Sequence, residues 1–275
     1  MQQNIILYAI QLYVIFHNHY DYAESILGQL VRPARYDEYP FVVPLITTDH
    51  ETPAQDFITC TGNFITNYFL VTTEHCIYNH QFNHFRIYMG RYNLHFNVEL
   101  HPIWLITYDQ WATVHNIPIE HVSNDIGLVK VFNNLPYLLP TTNLSPITPQ
   151  RQLIGSTTKI LGWGNSNTIP SIRSVLYVGN VTILPPAECN RRTISIQERP
   201  VSIPPTYFCT SASPHIIITS GDSGGPLLYE GKLIAISVGA CPTERGNYLN
   251  SFSVNLHIGI DYYRLFISTV TGATA

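Results

Sequence analysis

Short runs rich in β-branched and aromatic residues, separated by turn residues, dominate the chain from Pro40 onward. The runs are FVVPLI, NFITNYFLVTT, HFRIYMG, DIGLVKVF, TKILGWG, SVLYVGNVTI, PLLY, KLIAISVG and NSFSVNLHI. Such runs are typical of the strands of a β-sandwich or β-barrel. The two-residue link Glu230-Gly231 between PLLY and KLIAISVG predicts a hairpin. The pattern therefore predicts an all-β fold.

One helix and one linker interrupt this pattern. Apolar residues recur near helical spacing before Gly272, at Ile260, Tyr263, Ile267 and Val270. This spacing predicts a C-terminal helix that packs one face on the β body. Segment 140–150, PTTNLSPITPQ, carries three prolines among polar residues, which is the composition of a linker between two strand-rich halves.

The N-terminal segment carries an apolar run, Ile5 to Phe16, which is shorter than the ~20 residues a spanning helix needs. It is interpreted as the core of a signal peptide over residues 1–25, cut after Ser25. A cut near Tyr20, leaving a short propeptide, is an alternative, and so is a buried strand or helix. No Lys or Arg precedes the run. The segment predicts a secreted, extracellular protein, without a membrane span.

Composition narrows the functional class. The chain has 275 residues, of which 12% are charged, and its net charge is −4. This length suits one large domain or two small ones, and the absence of a long basic cluster argues against nucleic acid as a partner. Secretion would permit disulfides, and it would make the sequons at Asn143 and Asn180 candidate glycosylation sites.

Candidate chemistry begins at Ser223, in the segment Gly221-Asp222-Ser223-Gly224-Gly225. A serine on a tight glycine turn exposes its Oγ, and nearby backbone N–H groups can face a developing oxyanion, as acyl transfer requires. The alternative is an ordinary glycine-rich turn. A serine nucleophile also needs a base and a group that orients the base.

Two further segments supply those groups. His75 follows an apolar strand in LVTTEHC, and Asp125 opens an apolar strand in NDIGLVKV. Taken alone, His75 would be a structural or surface histidine and Asp125 a turn or cap residue. A lipase or esterase on an α/β fold would have the order Ser, Asp, His and a strand-Ser-helix elbow, which are not present.

The three segments, in the order His, Asp, Ser, resemble the chymotrypsin-like (trypsin-fold) serine proteases. Further matches are CTGNFI at 60–65, YPF at 39–41, GWG at 162–164 and SVG at 237–239. The resemblance implies a serine protease domain over residues 26–275, with two packed six-stranded β-barrels, a C-terminal helix and the linker near 140–150. His75 and Asp125 would come from the first barrel and Ser223 from the second.

The resemblance also implies a role for each residue. Ser223 would attack the peptide carbonyl, His75 would take and return the proton, and Asp125 would orient His75. The N–H groups of Gly221 and Ser223 would form the oxyanion hole. No metal or organic cofactor is expected, and activity should be lost as His75 is protonated, at about pH 6 to 7.

The cysteines match the resemblance in part. It implies that Cys60 pairs with Cys76 and that Cys189 pairs with Cys209. Cys241 is left over, because the position of its usual partner holds Thr219. It is either a buried free thiol or a bridge to another chain.

The resemblance places substrate binding at Ile217, Ser237 and Gly239, with Ile217 as the pocket floor. An aliphatic floor rejects Lys and Arg, so we expect cleavage after small or medium apolar residues. Alternatively, Ile217 fills the pocket and leaves no space for a substrate side chain. Val238, where the family has Trp, supports this alternative.

Activation is expected to expose Ile26, whose ammonium would pair with Asp222. Because Ser25 precedes Ile26, a trypsin-like activator would not cut there. We therefore expect signal peptidase or a protease of another specificity to make the cut. Glu74 is a further departure, since the family has Ala there; its carboxylate would turn outward or raise the pKa of His75.

Two functions follow. The first is an active serine endopeptidase, with protein or peptide substrates and protease inhibitors as partners. The second is a catalytically weak or inactive protease-fold protein that acts by binding. The complete His75, Asp125 and Ser223 set favours the enzyme.

Overall fold

The computed structural model describes residues 26–35, 37–47, 57–78, 85–89, 98–121, 123–164, 175–197, 203–242 and 251–273. The predicted signal peptide, 1–25, lies outside the described residues. Among the helices of the described ranges, none has the length and hydropathy needed to span a membrane.

Most of the regular structure consists of strands. The strands are β1 Leu27–Gly28, β2 Arg32–Pro33, β3 Val42–Thr47, β4 Phe57–Phe64, β5 Phe69–Thr72, β6 Phe85–Met89, β7 Val98–Leu100, β8 Pro102–Thr107, β9 Gly127–Val131, β10 Thr157–Gly162, β11 Tyr177–Ile183, β12 Tyr207–Ser211, β13 Ile216–Ile217, β14 Pro226–Tyr229, β15 Lys232–Cys241 and β16 Val254–Gly259. The α-helices are α1 Tyr108–Val114, α2 Gln150–Leu153, α3 Pro186–Gln197 and α4 Arg264–Thr271, with 3₁₀ turns at Glu74–Cys76 and Asp261–Tyr263.

The first sheet has the strand order β7-β6-β3-β4-β5-β9-β8. Only His101 separates β7, which pairs with β6, from β8, which pairs with β9. One bent segment therefore joins the two edges and closes the sheet into a barrel. Leu45, Phe64 and Leu70 lie fully buried in its core. Alternating side chains of neighbouring strands fill the interior, as expected for a small barrel.

The second sheet has the order β10-β14-β15-β16-β12-β11-β2, and an additional pairing of β10 with β11 closes six of its strands. Ile160, Leu227 and Ala235 are fully buried in this barrel's core. Strands β14 and β15 form the predicted hairpin. Glu230 and Gly231 have φ of 51° and 76°, the positive values that a two-residue hairpin turn requires.

A shared core joins the barrels. Tyr108 and Leu128 from the first barrel region belong to the same buried cluster as Ile236 and Val238 from the second, together with Phe266 of α4. The helix ends at Gly272, whose φ is 68°. The predicted all-β, two-barrel architecture with a C-terminal helix is thus confirmed.

Parts of the element prediction were wrong. The run NFITNYFLVTT is not one strand, because a turn at residues 65–68 separates β4 from β5. Helices α1, α2 and α3 were missed, as were strands β1, β2, β7, β8, β12 and β13. Helix α1 carries a recognisable signal: Thr107 and Gln110 form a reciprocal capping box at its start.

Candidate active site

His75 and Asp125 meet at the surface of the first barrel. His75 lies in the 3₁₀ turn that follows β5, and Asp125 lies just before β9, the strand that pairs with β5. His75 Nδ1 is 2.6 Å from Asp125 Oδ2, and the backbone N–H of His75 donates to Oδ1 at 2.9 Å. The carboxylate therefore fixes both the ring and the backbone of His75. The ring is 23% exposed, so its other nitrogen can meet a substrate.

Ser223 lies on a tight turn in the second barrel, between β13 and β14. Gly221 and Gly224 have φ of 87° and 83°, which favour glycine. The N–H groups of Asp222, Gly224 and Gly225 are hydrogen-bonded within the protein. Among the described residues, no acceptor binds the N–H of Gly221 or Ser223. These are the two donors expected for the oxyanion hole.

The first barrel holds this turn in place. The N–H of Thr61 in β4 donates to the Ser223 carbonyl at 2.7 Å, and its hydroxyl donates to the Gly221 carbonyl at 2.9 Å. The Asn63 amide donates to the Gly224 carbonyl at 2.7 Å. The Cys76 sulfur, beside His75, is 3.8 Å from the Ser223 carbonyl oxygen. The structure thus brings the His75 and Ser223 segments to one place.

A further contact explains why residue 224 is glycine. A Cβ there would lie 2.0 Å from the Thr61 carbonyl oxygen. Sequence analysis quoted Thr61 and Asn63 as family matches but assigned them no role. Their hydrogen bonds to the serine turn depend on the packing of two barrels, which local sequence does not reveal.

Comparison with known proteins identifies the family of the chain. The family model described as Trypsin matches residues 30–262. The chain belongs to the trypsin family of chymotrypsin-like serine endopeptidases. Its fold also resembles that of neuropsin, a serine protease expressed in the limbic system of mouse brain, with a TM-score of 0.67 and 21% identity over 88% of this chain and 98% of that one.

Curated relatives in the family share more sequence with it. A chymotrypsin of Phaedon cochleariae is 29% identical over 213 residues, covering 75% of this chain and 70% of that protein. Chymotrypsin-C of Rattus norvegicus is 27% identical, covering 62% and 61%. Kallikrein-5 of Homo sapiens is 27% identical, covering 68% and 61%. The chain thus spans less than two thirds of the length of the second and third.

Two of the three predicted substrate-binding residues, Ser237 and Gly239, flank a residue that contacts Ser223. The Ser223 hydroxyl is 3.5 Å from the Val238 carbonyl, between Ser237 and Gly239 on β15. Ser237 is fully buried and Gly239 is partly exposed. Ile217 in β13 is 2% exposed, which shows that its side chain is enclosed by protein.

Two polar residues on β16, which sequence analysis missed, bind groups on or next to β13 and β15. Asn255 accepts from the Ile218 N–H and donates to the Ile216 carbonyl, both at 2.9 Å. His257 lies 3.1 Å from the Ser237 hydroxyl and 2.9 Å from the Thr210 hydroxyl. Burial lowers the pKa of His257 to about 3. The available signal was their spacing, two polar residues at i and i+2 in an apolar strand.

The predicted activation residues are both buried. Ile26 is 3% exposed and immediately precedes β1, in which Leu27 pairs with Ile217. Asp222 is fully buried, and its Oδ2 accepts from the Thr219 N–H at 2.8 Å. Gly162 leaves room for this carboxylate, since a Cβ there would lie 2.0 Å from Asp222 Oδ1.

Glu74 changes the electrostatics of the site. It is partly buried rather than turned fully outward. Burial, with the negative charges of Asp109 and Asp125, raises the pKa of Glu74 to about 7. Burial alone would lower the pKa of His75, but the charge and hydrogen bond of Asp125 and the charge of Glu74 raise it above its usual value. Protonated His75 is therefore stabilised.

Both expected disulfides are present, Cys60–Cys76 and Cys189–Cys209. Cys60, His75 and Cys76 place potential metal-ligand atoms near each other, but both sulfurs are bonded in the disulfide. Cys241 is a buried free thiol, as one of the two alternatives proposed. Its sulfur is 3.5 Å from the Gln197 amide, and burial raises the pKa of the thiol.

Proposed function

We propose that the chain is a secreted serine endopeptidase that uses His75, Asp125 and Ser223 and cleaves after small or medium apolar residues. The observation that carries the proposal is the 2.6 Å contact of His75 Nδ1 with Asp125 Oδ2, beside the glycine turn that carries Ser223. It fixes the ring so that the other nitrogen, Nε2, is available as a base. Protein or peptide substrates follow from this chemistry.

Ser223 Oγ is the nucleophile in the first half of the proposed reaction and the leaving group in the second half. Ser223 Oγ attacks the substrate carbonyl carbon while His75 Nε2 takes the hydroxyl proton, and Asp125 stabilises the charged ring. The Gly221 and Ser223 N–H groups donate to the oxyanion. The intermediate collapses to an acyl-enzyme as His75 gives the proton to the leaving amine. Water, deprotonated by His75, then releases the acid and regenerates Ser223.

The mature enzyme is proposed to begin at Ile26. Two features support this: Ile26 is buried, and the pairing of Leu27 with Ile217 brings β1 to the segment that precedes the serine turn. A new ammonium at Ile26 would form an ion pair with buried Asp222 and order the turn. The ion pair would be buried and hydrogen-bonded, and these interactions would offset the free energy of removing both charges from water.

Secretion is supported by the two disulfides, which persist in oxidising compartments. The proposed glycosylation sites, Asn143 and Asn180, both have exposed side chains. A glycan on either would therefore extend into solvent. The apolar preference follows from Ile217, because a buried aliphatic floor offers no partner for a substrate cation.

A non-catalytic binding protein is the second candidate. The burial of Ile217 and the presence of Glu74 beside His75 favour it. A filled pocket would leave no room for a substrate side chain. A raised pKa of His75 would reduce the neutral base at physiological pH.

A fluorophosphonate probe separates the two functions. The secreted protein, confirmed by N-terminal sequencing to begin at Ile26, is treated with the probe, and the adduct is mapped by mass spectrometry. We expect labelling at Ser223, loss of labelling in Ser223→Ala, and unchanged labelling in Ser268→Ala on α4. Absence of an adduct in a folded sample that begins at Ile26 would support the binding protein instead.

A further inference from the structure

The imidazole of His257 bridges the two strands that flank β16 in the second barrel. Its Nδ1 is 3.1 Å from the Ser237 hydroxyl on β15, and its Nε2 is 2.9 Å from the Thr210 hydroxyl on β12. All three residues are fully buried. Both ring nitrogens therefore have a partner, and the ring cannot turn without separating two buried hydroxyls from these partners, which costs free energy.

The protonation state of the ring suits this bridge. Burial lowers the pKa of His257 to about 3, so the ring is neutral near neutral pH. A neutral imidazole has one N–H donor and one bare nitrogen that accepts, and a hydroxyl can serve as donor or acceptor. The ring can therefore donate to one of the two hydroxyls and accept from the other.

Strand β15 carries a β-bulge next to this bridge. Ser237 pairs with His257 and Gly239 pairs with Leu256, so Val238 is the extra residue on β15. At a bulge the extra residue is left unpaired and the ladder is locally disrupted. The side chains of Ser237 and His257 join the last pair of residues before this disruption. Their contact therefore holds the bulge at Val238.

The bulge lies against the turn that carries Ser223. The Ser237 carbonyl accepts from the Gly224 N–H, and the Ser237 N–H donates to the Gly225 carbonyl, both at 2.7 Å. The Ser223 hydroxyl is 3.5 Å from the Val238 carbonyl. If the bulge moved by one residue, other peptide groups of β15 would face the turn. The register of β15 therefore decides which groups hold Ser223.

From these contacts, we infer that His257 is a positioning residue for Ser223: its hydrogen bond to Ser237 keeps the β15 bulge at Val238 and thereby holds the serine turn in its reactive geometry. His257 acts through Ser237 and not on the substrate. The inference rests on the proposed endopeptidase function and adds a residue to it. The bond of the ring to Thr210 leads away from the serine turn, so the two ring nitrogens should differ in their effect on the reaction.

Two variants of His257 separate its two hydrogen bonds. In His257→Asn the amide lies as many bonds from Cβ as Nδ1 does, so it keeps the contact with Ser237 and loses the contact with Thr210. In His257→Gln the amide takes the position of Nε2, so it keeps the contact with Thr210 and loses the contact with Ser237. Each variant loses one buried hydrogen bond. A purely structural role of His257 predicts similar effects of the two substitutions on the reaction.

The rate of fluorophosphonate labelling at Ser223 compares the variants, each beginning at Ile26. We expect His257→Asn to react within about threefold of the wild-type rate, and His257→Gln to react at least about tenfold more slowly, because it loses the hydrogen bond to β15. Thr158→Val loses a buried hydrogen bond to the Val181 carbonyl elsewhere in the barrel and should react like the wild type. Equal rates in folded His257→Asn and His257→Gln, or a slower His257→Asn, overturn the inference.

Amide hydrogen exchange separates this inference from the proposed function, because it needs no reaction at Ser223. By NMR, the Gly224 and Ser237 N–H groups should be protected in the wild type and in His257→Asn, and should exchange at least about tenfold faster in His257→Gln. If the wild-type protein is not labelled at Ser223, the endopeptidase proposal fails, while the exchange rates still show whether His257 holds the turn. Rapid exchange of both amides in the wild type overturns the inference even if neither variant folds.

Discussion

Glu74 places a third carboxyl group beside the contact between His75 and Asp125. With a pKa of about 7, it changes charge in the same pH range in which the base must become neutral. Its ionised form raises the pKa of His75. In the proposed mechanism turnover requires neutral His75, so activity should be lost as the pH falls through that pKa.

Replacing Glu74 with Gln removes this charge. The pKa of His75 should fall, and the acid limb of the kcat/KM profile should move to lower pH by about half a unit to one unit. The profile is measured with a peptide that carries Ala at the cleaved position. Glu230→Gln, at the exposed hairpin tip, is the matched change and should leave the profile in place. An acid limb that does not move in Glu74→Gln contradicts the role given to this charge.

The hydroxyl of Thr61 fixes the carbonyl of Gly221, whose N–H is one proposed oxyanion donor. Thr61→Val should misorient that turn, lowering kcat by about tenfold, as loss of one hydrogen bond implies, with little change in KM. Thr61→Ser keeps the hydroxyl and should restore kcat. Steady-state kinetics on the Ala peptide give both constants. Equal kcat values for the two variants would show that only side-chain volume matters at this position.

At the scale of elements, the N-terminal segment is held by the short pairing of β1 with β13. A Cβ on Gly28 would lie 2.5 Å from the His215 carbonyl oxygen, at a φ of 156°. Gly28→Ala should therefore weaken the docking of the proposed N-terminus at Ile26 and lower fluorophosphonate labelling severalfold in a folded protein. Gly155→Ala is the control, since Gly155 also has a positive φ but nothing lies within 4 Å of its added Cβ. Equal labelling of both variants would contradict this account of β1.

The sequence predicted those elements that depend on residues close to one another in the chain, such as turn residues and apolar spacing. The hairpin was predictable because Glu230-Gly231 suits the positive φ angles of its turn, and α4 because its apolar spacing ends at Gly272. Strand β13 has only two residues and exists through its pairing with β1, which short-range patterns cannot reveal. Helix α3 lies on the surface with few buried residues, so its periodicity is weak.

The whole molecule depends on a core that both barrels share. Phe266 of α4 is fully buried there, in ring contact with Tyr108 and Trp111 of α1. Phe266→Ala should lower the free energy of unfolding by about 3 to 5 kcal/mol, because it leaves a cavity between the barrels. Urea unfolding followed by circular dichroism measures the change. Neighbouring Leu265 is 63% exposed, and Leu265→Ala should alter stability little. Similar losses in both variants would contradict a core shared through α4.

The site was predictable at this scale only through the order and spacing of three segments. His75 follows β5 and Asp125 precedes β9, which are adjacent strands of one barrel. The turn that carries Ser223 belongs to the other barrel, and the Thr61 N–H of the first barrel binds its carbonyl. The roles of Thr61 and Asn255 stayed hidden, because each acts on a backbone group far away in sequence. Residue type alone does not show which peptide group a buried amide or hydroxyl will bind.

The reactivity of the buried thiol of Cys241 can report local opening of the second barrel. The chain has five cysteines and four are paired, so this is its single thiol. It is 6% exposed, at the end of β15 and next to α3. A thiol reagent such as dithionitrobenzoate should react only when this corner opens, and the rate of colour release then measures how often it does. The opening rate of this part of the second barrel can be measured in this way without an introduced label.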